Sequence, residues 1–177
     1  QLNNPDMEQK ITPSWTKGLI ISLLLIVYGL FLYFTGQQQN KTLGMLQLVI
    51  LVAGMIVACI GYSKQMNGNL TFGNLFAHGF KATATVIVIM SLYTILATKL
   101  LFPDMIDQAM NQARVEMEKK GTLSDEQITQ GIALGRKFFV PFAIGGIILS
   151  FGIIGAIGSL IGAGVAKKNP NYNPLEQ

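Results

Sequence analysis

VPFAIGGIILSFGIIGAIGSLIGAGVA, residues 140–166, is a run of 27 residues without a single charge. A hydrocarbon core about 30 Å thick needs about 20 apolar residues of helix at ~1.5 Å rise per residue. The run is therefore long enough to cross a bilayer. Its small residues are also ordered. Gly145, Gly152, Ser159 and Ala166 recur every seven residues, and Gly155 and Gly162 interleave with them. Gly158 and Gly162 form a small-x-x-x-small pair. Lipid offers helices little hydrophobic drive to associate, so small residues that admit a neighbouring backbone supply it instead. The row Gly145, Gly152, Gly155, Ser159, Gly162 and Ala166 is thus a candidate packing seam. Gly54, Ala58 and Gly61 offer a complementary row to meet it.

Three further apolar stretches precede this one, at about 18–35, 43–62 and 79–102. The third becomes continuously apolar from Ala82, and Lys99 is the one charge inside that run. The chain reads as an all-α integral membrane protein. Its four transmembrane helices form two antiparallel hairpins, and an extramembrane helical hairpin joins helices three and four. Residues 1–13 are a polar N-terminal segment, 14–168 the membrane domain and 169–177 a polar tail. The first span follows a polar leader with no small-x-small cleavage site after it, so it is expected to be a retained helix. Only 12% of the residues are charged, against about 25% in soluble chains.

The net charge of +4 does not point to nucleic acid, because the bases are scattered and mostly flank spans, where they set topology. Trp15 and Lys17 suit headgroup depth at the start of span one, with Tyr28, Tyr33 and Phe34 toward its far end. Lys10, Lys17, Lys64, Lys81, Lys167 and Lys168 share the side of the termini. Lys41, Lys99, Arg136 and Lys137 flank the spans on the other side. The bias places the termini in the cytoplasm and the 103–137 segment in the periplasm.

That segment reads as two amphipathic helices. Ile106, Ala109, Met110, Ala113 and Met117 fall on one face of the first, and Gly121 is placed to end it. Ser124-Asp-Glu-Gln127 matches a capping box opening the second, and Pro141 is placed to kink or restart the chain before span four. Methionine is flexible and polarisable, so Ile106, Met110 and Met117 are candidate partner-docking residues.

Chemistry is sparse. Every acid lies outside the spans, and one histidine and one cysteine exclude a zinc site built on two histidines. No phosphate-cradle motif appears, and no nucleophile has a base beside it in sequence. No catalytic residue, cofactor or metal is expected, and Cys59 is expected to be a small buried hydrophobe. Thr71, Asn74, His78, Lys81 and Thr85 recur at three- and four-residue spacing, forming one polar stripe at the start of helix three. Asn74, His78 and Lys81 are candidates for contact with an anion or lipid headgroup.

Thr71-Phe-Gly-Asn-Leu-Phe76, Phe102-Pro-Asp104, Gly121-Thr-Leu-Ser-Asp-Glu-Gln127 and the terminal Lys167-Lys168 follow one another in a familiar order. In these the chain resembles a bacterial family of four-helix membrane proteins of unknown function, domain-of-unknown-function family 4199, over roughly residues 16–168. The resemblance implies a bacterial inner-membrane location and brings no catalytic residues with it. The reading is a non-enzymatic accessory or scaffold subunit of a larger inner-membrane complex, with lipids and another membrane protein as partners. The alternative is a small transporter or flippase component for a lipid-linked or anionic solute.

Overall fold

The structure is a computed structural model and describes residues 11–173. It is all-helical, with no strand among the described residues. The elements are α1 (Ser14–Phe34), α2 (Lys41–Gln65), α3 (Phe72–Leu96), α4 (Asp104–Lys120), α5 (Asp125–Lys137) and α6 (Phe139–Val165). A π-helical turn, Ala97–Leu101, prolongs α3 before Pro103 stops it. Helices α1, α2, α3 with its π turn, and α6 are each long and apolar enough to cross a membrane.

Local chemistry sets the boundaries. Asn40 caps α2 by accepting from the backbone N–H groups of Thr42 and Leu43. Thr71 accepts from Asn74 N at 3.2 Å and caps α3. The capping box before α5 is complete. Ser124 Oγ accepts from Gln127 N, and Gln127 Oε1 accepts from Ser124 N. Gly121 takes φ 62° and ends α4 in the left-handed region that glycine adopts freely. Between α5 and α6 the helical path breaks at Phe138. Pro141 then falls in the first turn of α6, where a missing N–H costs no hydrogen bond.

The α3–α6 pairing is the most extensive in the fold, followed by α2–α6 and α1–α3. Helix α3 touches all three other long helices and is the hub, a place the glycine-rich sequence of α6 suggested for α6 itself. Added Cβ atoms locate the close approaches. At Gly158 one would lie 3.1 Å from Met55 Cβ. At Gly162 it would lie 2.9 Å from Cys59 Cβ, and at Gly79 2.7 Å from Ser159 Oγ and 2.8 Å from Cys59 Sγ. Gly155 meets Thr83 still more closely.

The close approaches run along α6 from Gly155 to Gly162, and Ala166 packs beside Leu70, Leu75 and Ala163. It fades toward the start of α6. Gly152 only reaches Ile87 at 3.9 Å, and a Cβ on Gly145 would meet nothing within 4 Å. Nor does the Gly54, Ala58 and Gly61 row face α6. Gly54 meets Ile21 and Gly61 approaches Lys17, so this row turns to α1. The α2 residues against α6 are Val52, Met55, Ile56 and Cys59.

Four buried hydroxyls are bonded within their own helices. Ser22 donates to Gly18 O, Thr83 to Gly79 O, Thr98 to Thr94 O and Ser159 to Gly155 O. Around them pack Ile21, Leu25, Leu51, Met55, Val86 and Phe151.

Gly162→Leu should lower the unfolding free energy in detergent by about 1–3 kcal/mol, the usual cost of overpacking. Gly145→Leu should stay within about 0.5 kcal/mol of wild type, as at open sites. Thermal unfolding of the two variants checks this, and equal effects would remove the seam.

Candidate functional site

The polar stripe on α3 does not stay together. Asn74 and Lys81 are exposed, whereas His78 is only 8% exposed. The helical wheel explains the split. Leu75, Gly79, Ala82 and Val86 form the buried face of α3, and His78 is the stripe member nearest to it. Packing at Gly79 draws His78 in with it.

There its ring stacks on Tyr62, with centroids 3.9 Å apart and planes 10° from parallel. Its Nε2 is buried without a hydrogen-bond partner among the described residues. Lys17 reaches the same tyrosine from α1, its ammonium 5.8 Å from the ring centroid. Lys17 Nζ also donates to Ala58 O at 3.1 Å. The structure thus gathers Lys17, Tyr62 and His78, with Cys59 fully buried nearby. Spacing along α3 could not reveal Tyr62 or Lys17, because both arrive from other helices.

The same end of the bundle is tied by backbone. Asn169 N donates to Gly68 O at 2.8 Å, and Ser63 Oγ donates to Lys167 O. Gln65 exchanges hydrogen bonds with Thr12, at 3.1 Å and 2.9 Å. Between α1 and α2 runs a groove of about 520 Å³, lined by Ile20, Leu24, Ile50, Ala53 and Val57, with Lys17 and Gln65 toward this end.

At the opposite end, α4 and α5 pack on each other. Arg136 pairs with Asp107 at 2.5 Å, and Arg114 donates to Thr129 at 3.0 Å. Ile106, Met110 and Met117 are half-buried. A Cβ on Gly135 would stand 3.1 Å from Met110 Sδ, so Met110 faces α5. The apolar residues left exposed here are Val115, Leu123, Leu134 and Phe138. Helix α4 meets the long helices through polar contacts: Tyr33 Oη donates to the Asp104 carboxylate at 3.1 Å, and Lys41 pairs with Glu116 at 3.5 Å. The Lys41–Glu116 pair is solvent-exposed and worth ~0–1 kcal/mol. Among the described residues no three His, Cys, Asp or Glu side chains come together as a metal site would require.

Four long apolar helices around a packed interior fit a multi-pass membrane protein. Residues 16–168 match a family model described as Protein of unknown function (DUF4199), and the chain belongs to that family. No curated protein and no solved structure matches the chain.

A buried polar atom without a partner costs about 1–3 kcal/mol. His78→Phe keeps a ring against Tyr62 and removes that atom, so its thermal midpoint in detergent should equal or exceed that of wild type. A clear fall in midpoint would mean that Nε2 is bonded in the native protein.

Proposed function

We propose that this chain is a non-enzymatic accessory subunit of a bacterial inner-membrane complex. It is embedded by α1, α2, α3 and α6 and presents α4–α5 to a protein partner. One observation carries the reading: the interior is filled. Gly79, Gly155, Gly158 and Gly162 each sit against a neighbouring helix, and the hydroxyls beside them are bonded to their own backbones. A solute path needs polar groups facing a wet cavity at bilayer depth, and this packing favours a protein that works by contact.

The order of contacts supports two antiparallel hairpins. Lys17, Ile21 and Tyr28 on α1 meet Ala58, Gly54 and Leu43 on α2. Gly79, Thr83 and Ile87 on α3 meet Ser159, Gly155 and Gly152 on α6. In each set one number falls as the other rises. The described acids all lie within 104–126, around α4 and α5, while Lys17, Lys64, Lys81, Lys167 and Lys168 mark the other end. By the lysine bias, that other end is cytoplasmic and α4–α5 is periplasmic.

Met110 is used against α5, so the docking surface shifts to Val115, Leu123 and Leu134. A tagged protein purified in mild detergent should retain a stoichiometric protein partner. The Val115→Glu, Leu134→Glu double variant should lose that partner while keeping its thermal midpoint. Purified protein that by itself moves a lipid or an anionic solute across liposomes would instead establish the transporter or flippase reading. Asp125→Cys on a Cys59→Ser background should react with an impermeant thiol reagent from the periplasmic side. Reaction only after the cytoplasmic face is opened would reverse the orientation.

A further inference from the structure

We infer that the groove between α1 and α2 seats an acyl chain of an anionic phospholipid, whose phosphate binds the Lys17 ammonium. The inference rests on the membrane-embedded part of the reading above and not on the accessory role.

Three observations carry it. The first is how the groove arises. The small row Gly54, Ala58 and Gly61 faces α1, with Ile21 against Gly54 and the Lys17 ammonium beside Gly61. Ile21 packs on Gly54 and closes the floor, and Ile20, Leu24, Ile50, Ala53 and Val57 line the rest. Its volume, about 520 Å³, lies within the range of roughly 300–1,000 Å³ usual for small-molecule sites. An apolar trough along two helices has the shape of a chain rather than of a compact solute.

The second is the placement of one cation. Among the described residues, Lys17 is the only charged one lining the groove. Its ammonium lies beside Gly61, is anchored on Ala58 O at 3.1 Å and stands 5.8 Å from the centroid of the Tyr62 ring. An ammonium has three donors, and Ala58 O takes one. The amide of Gln65, the other polar liner at this end, is engaged with Thr12. The open polar capacity therefore belongs to Lys17.

The third is the charge around it. Lys64, Lys81, Lys167 and Lys168 share this end, and no described acid does. The occupant that satisfies an apolar trough, one anchored ammonium and a basic surround is a lipid with a net negative headgroup. A zwitterionic headgroup would bring its own cation into the same field.

Tryptophan quenching by brominated lipid tests this directly. Trp15 is the only tryptophan, so Trp15→Phe, Leu24→Trp protein carries one reporter in the groove. Trp15→Phe, Ile153→Trp protein carries one on an exposed position of α6. Both are reconstituted in equimolar phosphatidylglycerol and phosphatidylcholine vesicles, with one or the other lipid brominated on its chain. In the groove, brominated phosphatidylglycerol should quench with an apparent association about fivefold above that of brominated phosphatidylcholine, the factor expected of one lysine at an anionic headgroup. At position 153 the two lipids should quench equally. Lys17→Gln should abolish the preference, Lys17→Arg should keep it, and Lys81→Gln should leave it unchanged. Should Lys17→Gln fail to reconstitute as a helical protein, Ala53→Phe decides instead, because filling the groove must drop both lipids to the level seen at position 153. Equal quenching at position 24, a preference that survives Lys17→Gln, or the same preference at position 153 would each overturn the proposal. Absence of quenching at both positions would overturn the membrane-embedded reading itself.

Discussion

Helices α2, α3 and α6 meet at one point, where Cys59, Gly79, Ser159 and Gly162 touch. Cys59 has no exposed surface, and its Sγ lies 3.5 Å from Leu75 O and 3.9 Å from Ser159 O. A Cβ at Gly79 or Gly162 would lie under 3.0 Å from Ser159 or Cys59, so something there would have to shift. Apolar side chains on these helices gain little from one another if lipid surrounds them, so backbone approach has to supply the association. The small residues from Gly155 to Ala166 serve that need, and Gly79 answers them from α3.

The rest of the architecture follows from that node. It fixes the rotation of α3, which takes His78 inward and leaves Lys81 outside. It fixes the face that α2 gives to α6, which leaves Gly54, Ala58 and Gly61 to face α1 across a shallow trough. Charges are pushed to the two ends, lysines to one and the mixed acids and bases of α4 and α5 to the other. Helices α4 and α5 clasp each other through Asp107 and Arg136 and touch the long helices mainly through polar groups. Such contacts are weaker than close packing. The pair is thus the part best able to respond to a partner without disturbing the bundle.

Features decided by neighbours in sequence were legible in advance. The four apolar runs, the Ser124–Gln127 box and the stop at Gly121 depend on residues within a turn of one another. Features decided by which helix lies opposite were not. The seven-residue spacing placed Gly145 on the same face as Ser159, yet α3 and α2 approach only the later part of that face. The three- and four-residue spacing gave an angle along α3, but the edge of the buried face falls between His78 and Lys81. Met110 lay on the apolar face as expected, and Gly135 then supplied a cover that spacing in α4 could not disclose.

The meeting of three helices at Cys59 closes the interior. Because this is the only cysteine, a water-soluble methanethiosulfonate reagent can test the wild-type chain without substitution. In proteoliposomes, under native conditions, the thiol should stay unmodified and react only after the bundle is unfolded. Prompt modification of Cys59 in the folded protein would mean that water reaches the node, and would contradict the account.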